Sequence, residues 1–471
     1  PSELMDHFQS LSNISYFRVF VNIFLTNFIK ISCGLVFPTP IFLCKNFNKR
    51  LNFDSILKTF GSGYILIIRS IFSAKEETFM KFLHSCGDLD LYEILSVSDL
   101  KRFIAFPDRL YIGNPNYVPS LMMDEMENLR KDKNPAFAYC SARYFMAFHG
   151  KEPVGRIAAI HNRRFNEIWH KNCVRFSRYD VIDDIEVSRA LLAEVEAYAQ
   201  TLGMTEVQGP MGFCDLDHQG LLVDGFDKKG LFITTYNHPY YMEHLEALGY
   251  AKLTDWVEMI MEKPETLDPR IKKIAEYSLE KLNLHEVHLK KTKEILPYAK
   301  DLFELLYEAY KNIYGVIPLD DKQVELYIGQ FITLVKPEFL TLIVDENNIP
   351  VSFGVVIPSL ADTVRDCKGR LFPFGWIHLL RYLTAKKHET LEFLLIATHP
   401  KYWNSALNAE IIVHTFEGAE KFGIKYAETG PMLETNLRIQ SMWSRFHAEI
   451  HKRRRCYVKP LCENLPEESN I

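Results

Sequence analysis

The chain of 471 residues is 47 % apolar and 24 % charged, the balance of a globular protein long enough for two or three domains with large cores. A formal net charge of −5 argues against a general nucleic-acid binder. Nine cysteines, scattered without a CxxC pair, suggest neither a disulfide framework nor a zinc site and fit a reducing cytoplasm.

Residues 1–79 differ from the rest, being rich in Phe, Ile, Asn, Lys and Ser, with a strongly apolar stretch over 17–44. A spanning helix needs about 20 apolar residues, and Arg18, Asn22, Asn27, Lys30, Pro38 and Pro40 interrupt this one. The stretch also lacks the n-region, h-region and cleavage site of a signal peptide. Three readings stand: an over-extended translation start with the real one near Met80, a membrane-associating segment, or a small extra domain.

From Leu89 the pattern becomes globular. A strand is expected over 89–97, then a helix from Leu100, capped by Ser98 and Asp99, that stops before Pro107. A polar loop over 114–119, a helix over 124–130 and the segment Asn134 to Phe137 lead into a hairpin. Its strands are expected at 142–149 and 154–160 around Gly150-Lys151-Glu152. The polar group Asn162, Arg163, Arg164, Asn166 and Glu167 reads as an exposed turn or a substrate-facing loop. A strand over 174–181 and a helix over 185–202 follow, with Asp183-Asp184 between them. Two carboxylates suit a helix N-terminus but occupy the place a phosphate would take, so this part looks poorly suited to a pyrophosphate. Asp215, Asp217 and His218 are metal-ligand types in one loop, a grouping common by chance, and no metal is expected. The cluster Tyr236-Asn237-His238-Pro239-Tyr240-Tyr241 suits either packing or the wall of a cleft. A helix over 241–248 and a closing strand over 251–261 complete the segment.

Pro264 and Pro269 punctuate a linker. Beyond it come a helix over 271–281, a strand start at 287–290, helices over 298–310 and 320–334, and strands over 339–345 and 351–358 around Glu346-Asn347-Asn348. Residues 372–383, aromatic and apolar with Trp376, His378 and Arg381, read as core or as a lipid-facing wall. A buried strand over 391–396 ends at His399-Pro400. A loop of Lys401 to Ser405, a helix from Ala406 to a C′ glycine at Gly423 and a strand over 426–429 then make a βαβ unit, whose helix N-terminus offers free N–H groups to an anion. The basic run Lys452-Arg453-Arg454-Arg455 reads as a solvated strand end.

Landmarks repeat. Residues 202–211 (LGMTEVQGPM) echo 422–432 (FGIKYAETGPM), and Pro153-Val154 opens a run as Pro350-Val351 does. The chain therefore reads as two copies of one α/β domain, 80–265 and 266–461, with a tail over 462–471.

Strand, helix pair, hairpin, strand, loop-helix and closing strand, twice, resemble the GNAT superfamily of acyl-CoA N-acyltransferases in tandem form, with an α/β fold on a mixed sheet. The resemblance implies acyl-CoA as co-substrate, its pyrophosphate held by the loop after the fourth strand. There Ala397, Thr398, Asn404, Ser405, Ala406, Leu407 and Asn408 are the implied donor-binding residues, although Asn404, Ser405 and Ala406 stand where glycines are usual. The amide near Ala397 or Thr398 would polarise the thioester carbonyl. Glu434 is the candidate base, and Trp443 stands where many members carry a tyrosine acid. Tyr240 and Tyr241 are candidate acids provided their loop faces the second copy's cleft, and Arg156, Asn162 and Asn237 are candidate substrate contacts. RLYIGNPNYVP, PVGRIAAIHN, GLLVDGFD and YNHPYY are similar to bacterial double-GNAT proteins, some of whose relatives are linked to acylation of long-chain amines in sphingolipid synthesis. The expected function is N-acylation of an amine, including a sphingoid-like lipid amine. No nucleic-acid partner is expected, and the expected location is the cytoplasm or the periphery of the inner membrane. The alternatives are a Fem-like aminoacyl transferase, which would want a basic groove and a helical arm, and a non-catalytic ligand-binding protein, which the missing glycines favour.

Overall fold

The computed structural model describes residues 80–461, so the readings for residues 1–79 and 462–471 lie outside the described residues. The first half runs β1 (Lys81–Cys86), β2 (Leu89–Glu93), α1 (Val97–Leu110), α2 (Met122–Leu129), β3 (Cys140–His149), β4 (Glu152–Asn162), α3 (Arg163–Trp169), β5 (Cys173–Val181), α4 (Ile185–Thr201), β6 (Glu206–Gly209), β7 (Leu221–Asp224), α5 (Tyr240–Ala247) and β8 (Ala251–Glu262). The second runs α6 (Pro269–Leu282), β9 (His285–Glu286), α7 (Ala299–Tyr310), α8 (Asp321–Phe331), β10 (Leu340–Val344), β11 (Pro350–Pro358), α9 (Ala361–Asp366), α10 (Trp376–Thr384), β12 (Thr390–Thr398), α11 (Asn408–Phe422), β13 (Tyr426–Thr429), β14 (Met432–Leu433), α12 (Leu437–Trp443) and β15 (Glu449–Pro460).

The β12–α11–β13 unit forms as its pattern dictates. Ile411, Ile412 and Ala419 bury one face of α11, and Gly423 closes it in the left-handed region at φ +68°, whose strain a glycine avoids. The α1 expectation is corrected at both ends. Ser96, not Ser98, is the N-cap, accepting from Asp99 N–H at 3.0 Å, and the helix continues through Pro107 to Leu110. Proline removes the N–H that would serve the Phe103 carbonyl. The Arg156 guanidinium donates to that carbonyl at 2.7 Å instead, which lets the helix run on. The polar group after β4 is helix α3 rather than a turn, with Asn162 as its N-cap. Of the 372–383 stretch, Tyr382 and Leu383 are core while Phe374 is exposed.

One mixed sheet joins both halves in the order β1-β2-β3-β4-β5-β6-β15-β8-β13-β12-β11-β10-β9. The closing strands are exchanged: β15, last in the chain, lies between β6 and β8, and β8, which ends the first half, lies between β15 and β13. The exchange overturns the solvated reading of the basic run. Strand alternation turns Lys452 and Arg454 to one face, where both are buried at 0 % and 1 % side-chain exposure. Lys452 pairs with Glu258 at 2.8 Å and with Glu428, and Arg454 pairs with Glu258 at 2.5 Å. Only Arg453 and Arg455 keep part of their surface in water, both bound to Asp255.

Candidate functional site

The parallel pair β12–β13 is in register only from Thr390 opposite Tyr426 to Phe393 opposite Thr429, with Gly430 N–H donating to Phe393 O at 2.9 Å as its last bond. Beyond that point β12 continues against β11 to Thr398, whereas Gly430-Pro431 carries the chain to β14, which pairs with β8. The two strands part, and a cavity of about 600 Å³ opens in the gap. Its walls are mainly apolar: Leu302, Phe303 and Leu306 of α7, Ile328 and Phe331 of α8, Phe353 and Val355 of β11, and Trp443 of α12.

A few polar groups face this space. Tyr310 donates to Ile396 O and the Trp403 indole donates to Thr398 O, each at 2.8 Å. In an extended strand the N–H and C=O of one residue point the same way, so the peptide groups of Ile396 and Thr398 turn to the cleft and that of Ala397 turns to β11. Thr398 Oγ1 donates to Asn408 Oδ1 at 2.9 Å, fastening the end of β12 to the first turn of α11. That helix has no side-chain cap at its start, which faces the 399–408 loop with Glu410 in its first turn. Ala406 sits in the left-handed region at φ +54°, so the loop makes there a turn that glycine would make at less strain. Arg438 stacks over Trp403, 4.7 Å from the ring centre to the guanidinium, and donates to its carbonyl at 3.2 Å.

The corresponding gap in the first half is filled. β5 and β6 pair only from Cys173 opposite Glu206 to Arg175 opposite Gln208. Arg178, at φ +47° in β5, then inserts a buried guanidinium that binds Glu125 at 2.9 Å and Asp217 at 2.7 Å. Burial alone would raise the Asp217 carboxyl, but Arg178 outweighs it and holds the group down at about 2. Glu125, Asp217 and His218 come close enough to share an ion, yet the Arg178 cation already pairs with two of them. Asp184 caps α4 by accepting from Glu186 N–H, placing carboxylates at the helix start whose counterpart is open in the second half.

Among the other sequence candidates, Asn404, Ser405, Ala406 and Leu407 form the turn between the cavity-lining Trp403 and Asn408. The condition on Tyr240 and Tyr241 is not met. Tyr240 donates to Val181 O, while Tyr241 is fully buried, shares a hydrogen bond with Tyr111 and accepts from Val181 N–H. Neither lines the cavity. Glu434 binds Lys252 and the Asp255 N–H, and its neighbours Leu433 and Thr435 face the cavity in its place. Arg156 is tied to Asp180 and α1, Asn162 to Phe165 N–H and Phe213 O, and Asn237 to both backbone groups of Leu222. All three asparagine and arginine side chains spend their polar atoms inside the fold. The residues that sequence reasoning passed over are Tyr310, the last residue of an amphipathic helix, and Asp215, noticed only as a metal-ligand type. Asp215 lines the cavity with its Oδ1 atom buried, and burial pushes its carboxyl up to about 6.

The described chain is a mixed α/β fold built on one large sheet. No family model matches it. It is 28 % identical to Protein YghO of Escherichia coli over 372 residues, 78 % of this chain and 94 % of that protein. It is 26 % identical to the bacterial ceramide synthase of Caulobacter vibrioides over 333 residues, 69 % of this chain and 84 % of that one. Among solved structures, a tandem GNAT protein from the clavulanic acid biosynthesis pathway superposes with a TM-score of 0.47 at 12 % identity, over 79 % of this chain and 98 % of that chain. A GCN5-related N-acetyltransferase from Sphaerobacter thermophilus superposes at 0.43 and 12 % identity, over 80 % and 97 %. Among the described residues no helix is long and apolar enough to cross a membrane.

Proposed function

We propose that this protein transfers an acyl group from a thioester donor of the acyl-CoA class to the nitrogen of a lipid amine. The observation that carries the reading is the gap between β12 and β13: strand peptide groups and an uncapped helix start lie beside it, and it continues into a large apolar cavity. A cavity of this size and lining suits a ligand with a long apolar part and few polar atoms. The resemblance to a protein named for ceramide synthesis supports an amine with a long chain.

In this reading the donor's phosphates lie at the 399–408 loop, where the α11 dipole, Lys401 and Arg438 supply positive potential. The thioester carbonyl lies along β12 and is polarised by the cleft-facing Thr398 N–H. The neutral amine attacks the carbonyl carbon, the C–S bond breaks, and the thiolate takes up a proton. Tyr310 is the phenol beside that strand, and burial raises it to about 12, so it carries its proton at neutral pH. The test is to incubate the full chain with acyl-CoA donors of several lengths and a sphingoid-type amine, following thiol release and amide formation by mass spectrometry. Amide formed in step with thiol supports the reading. Donor binding without turnover would make the protein a ligand binder, and no donor binding would remove acyl-CoA from the scheme.

A further inference from the structure

Several buried acids in this fold have cationic partners: Asp180 has Arg156, Asp217 and Glu125 have Arg178, Glu258 has Lys452 and Arg454, and Asp255 has Arg455, whereas Glu392 lies inside the sheet with none and away from the cavity. Asp215 is different. Its Oδ1 atom is buried without a hydrogen-bond partner among the described residues; backbone N–H groups of Asp215 itself and of Ile317 act on the carboxylate, but no cation forms an ion pair with it among those residues. The residue belongs to the cavity wall, which Leu216 and apolar residues of α7 and α8 also line.

The loop that carries it is firmly placed. Asp217 N–H donates to Cys214 O at 3.2 Å, the Gln219 carboxamide donates to the Asp215 carbonyl at 2.7 Å, and the Cys214 thiol and Tyr327 hydroxyl lie 2.9 Å apart. The other two charged cavity residues are engaged elsewhere, Asp217 by Arg178 and Arg438 by the Trp403 carbonyl. The remaining titratable groups that act on Asp215 or feel its charge are Tyr310 of α7, Tyr327 of α8, Cys214 in its own loop and Arg175 of β5. Tyr310 links the two sides of the site, since its hydroxyl also caps the Ile396 carbonyl on β12.

A carboxylate without a counter-ion in an apolar space is unfavourable. It becomes favourable when a ligand brings the missing positive charge together with apolar surface for the walls. We infer that Asp215 receives the acceptor's ammonium group and takes the proton that the amine loses before attack, an assignment that rests on reading the cavity as the acceptor's place. The steps balance. The ammonium gives one proton to the Asp215 carboxylate, leaving a neutral amine and a carboxylic acid. After the amine attacks and the C–S bond breaks, Tyr310 gives its proton to the thiolate and is reprotonated by the second nitrogen proton, and Asp215 later releases its own proton to solvent. Loss of water around the pair favours this transfer, because desolvation raises the acid and lowers the amine.

The test measures binding of dodecylamine and dodecanol, each below its aggregation limit, to the full chain without any donor. Trp256, Trp403 and Trp443 line the cavity and report occupancy by their fluorescence. The wild type is expected to prefer the amine, and Asp215→Asn to lose roughly ten- to a hundred-fold in amine affinity while keeping its dodecanol affinity and its melting temperature. Asp215→Glu is expected to restore part of the amine preference. Equal loss for both ligands, or no loss for the amine, overturns the assignment. Should Asp215→Asn fail to fold, the wild-type comparison still decides: no preference for the amine over the alcohol overturns it too. Acyl-CoA binding by the same samples separates the two readings. Amine discrimination without donor binding would retire the acyl-transfer reading alone, and donor turnover without amine discrimination would retire the Asp215 assignment alone.

Discussion

Replacing Glu392 by Gln should make the protein more stable above pH 8 and flatten its pH dependence. Glu392 lies on β12 directly opposite Glu428 of β13 and is fully buried. Neither of its oxygens completes a hydrogen bond, and the nearby Ser359 hydroxyl offsets only part of the penalty of burial. Around it stand Glu428, Glu258 and Lys452, with Arg454 paired to Glu258 and His451 2.9 Å from Glu428. Among the described residues no cation pairs with Glu392 itself, so a charge on its carboxylate would be poorly compensated. Burial, reinforced by Glu428, pushes Glu392 up to about 8 from an ordinary 4.5. The folded state thus holds a proton that the unfolded state gives up between those two values. Stability is greatest below about pH 4.5 as far as this group is concerned and declines as pH rises through 8. The shift corresponds to on the order of 5 kcal/mol between the two limits. Gln keeps the shape and cannot ionise. Thermal melts of wild type and Glu392→Gln from pH 5.5 to 9 should converge at the acid end and separate at the alkaline end, with the variant higher. Parallel curves, or a variant that is less stable at pH 9, would refute the account of this cluster.

The same cluster predicts that Lys452→Met, which leaves Glu258 and Glu428 with one fewer cation, destabilises by about 3–5 kcal/mol, read as a lower denaturant midpoint; an unchanged midpoint would mean the pair is solvated. Tyr310→Phe removes the hydroxyl bonded to Ile396 O without changing the cavity's shape. Acyl transfer should fall by roughly a hundred-fold with donor affinity unaltered, and an unaltered turnover rate would place the proton donor elsewhere. At Gly354 a Cβ would meet Ile411 Cγ2 at 2.5 Å, where α11 rests on β11. Gly354→Ala should therefore cost about 1–3 kcal/mol and weaken donor binding by displacing the helix start. Calorimetry together with donor titration checks both effects, and normal values for both would show that the helix is free to move.

Periodicity and turn chemistry made much of this protein legible in its sequence. The β3–β4 hairpin follows from alternation around Gly150, and the β12–α11–β13 unit follows from an apolar run, a helical stripe and Gly423. The echo of 202–211 in 422–432 falls on β6 and β13, each running into a Gly-Pro step. Those signals are local, carried by residues within a few positions of one another. Site residues were less legible, since an asparagine or arginine in a polar segment looks alike whether it meets a ligand or, as Asn162 and Arg156 do, a backbone carbonyl. Tertiary structure alone decided that β8 and β15 exchange places, which buries Lys452 and Arg454 against an acid 196 residues from Arg454 in the chain. It also decided which of two similar gaps is open. Arg178 finds Glu125 and Asp217 and fills the first, while Leu394 and Leu395 bring no charge to the second and leave a cavity. Pairings of that kind depend on which distant side chains meet, and no spacing along the chain encodes the meeting.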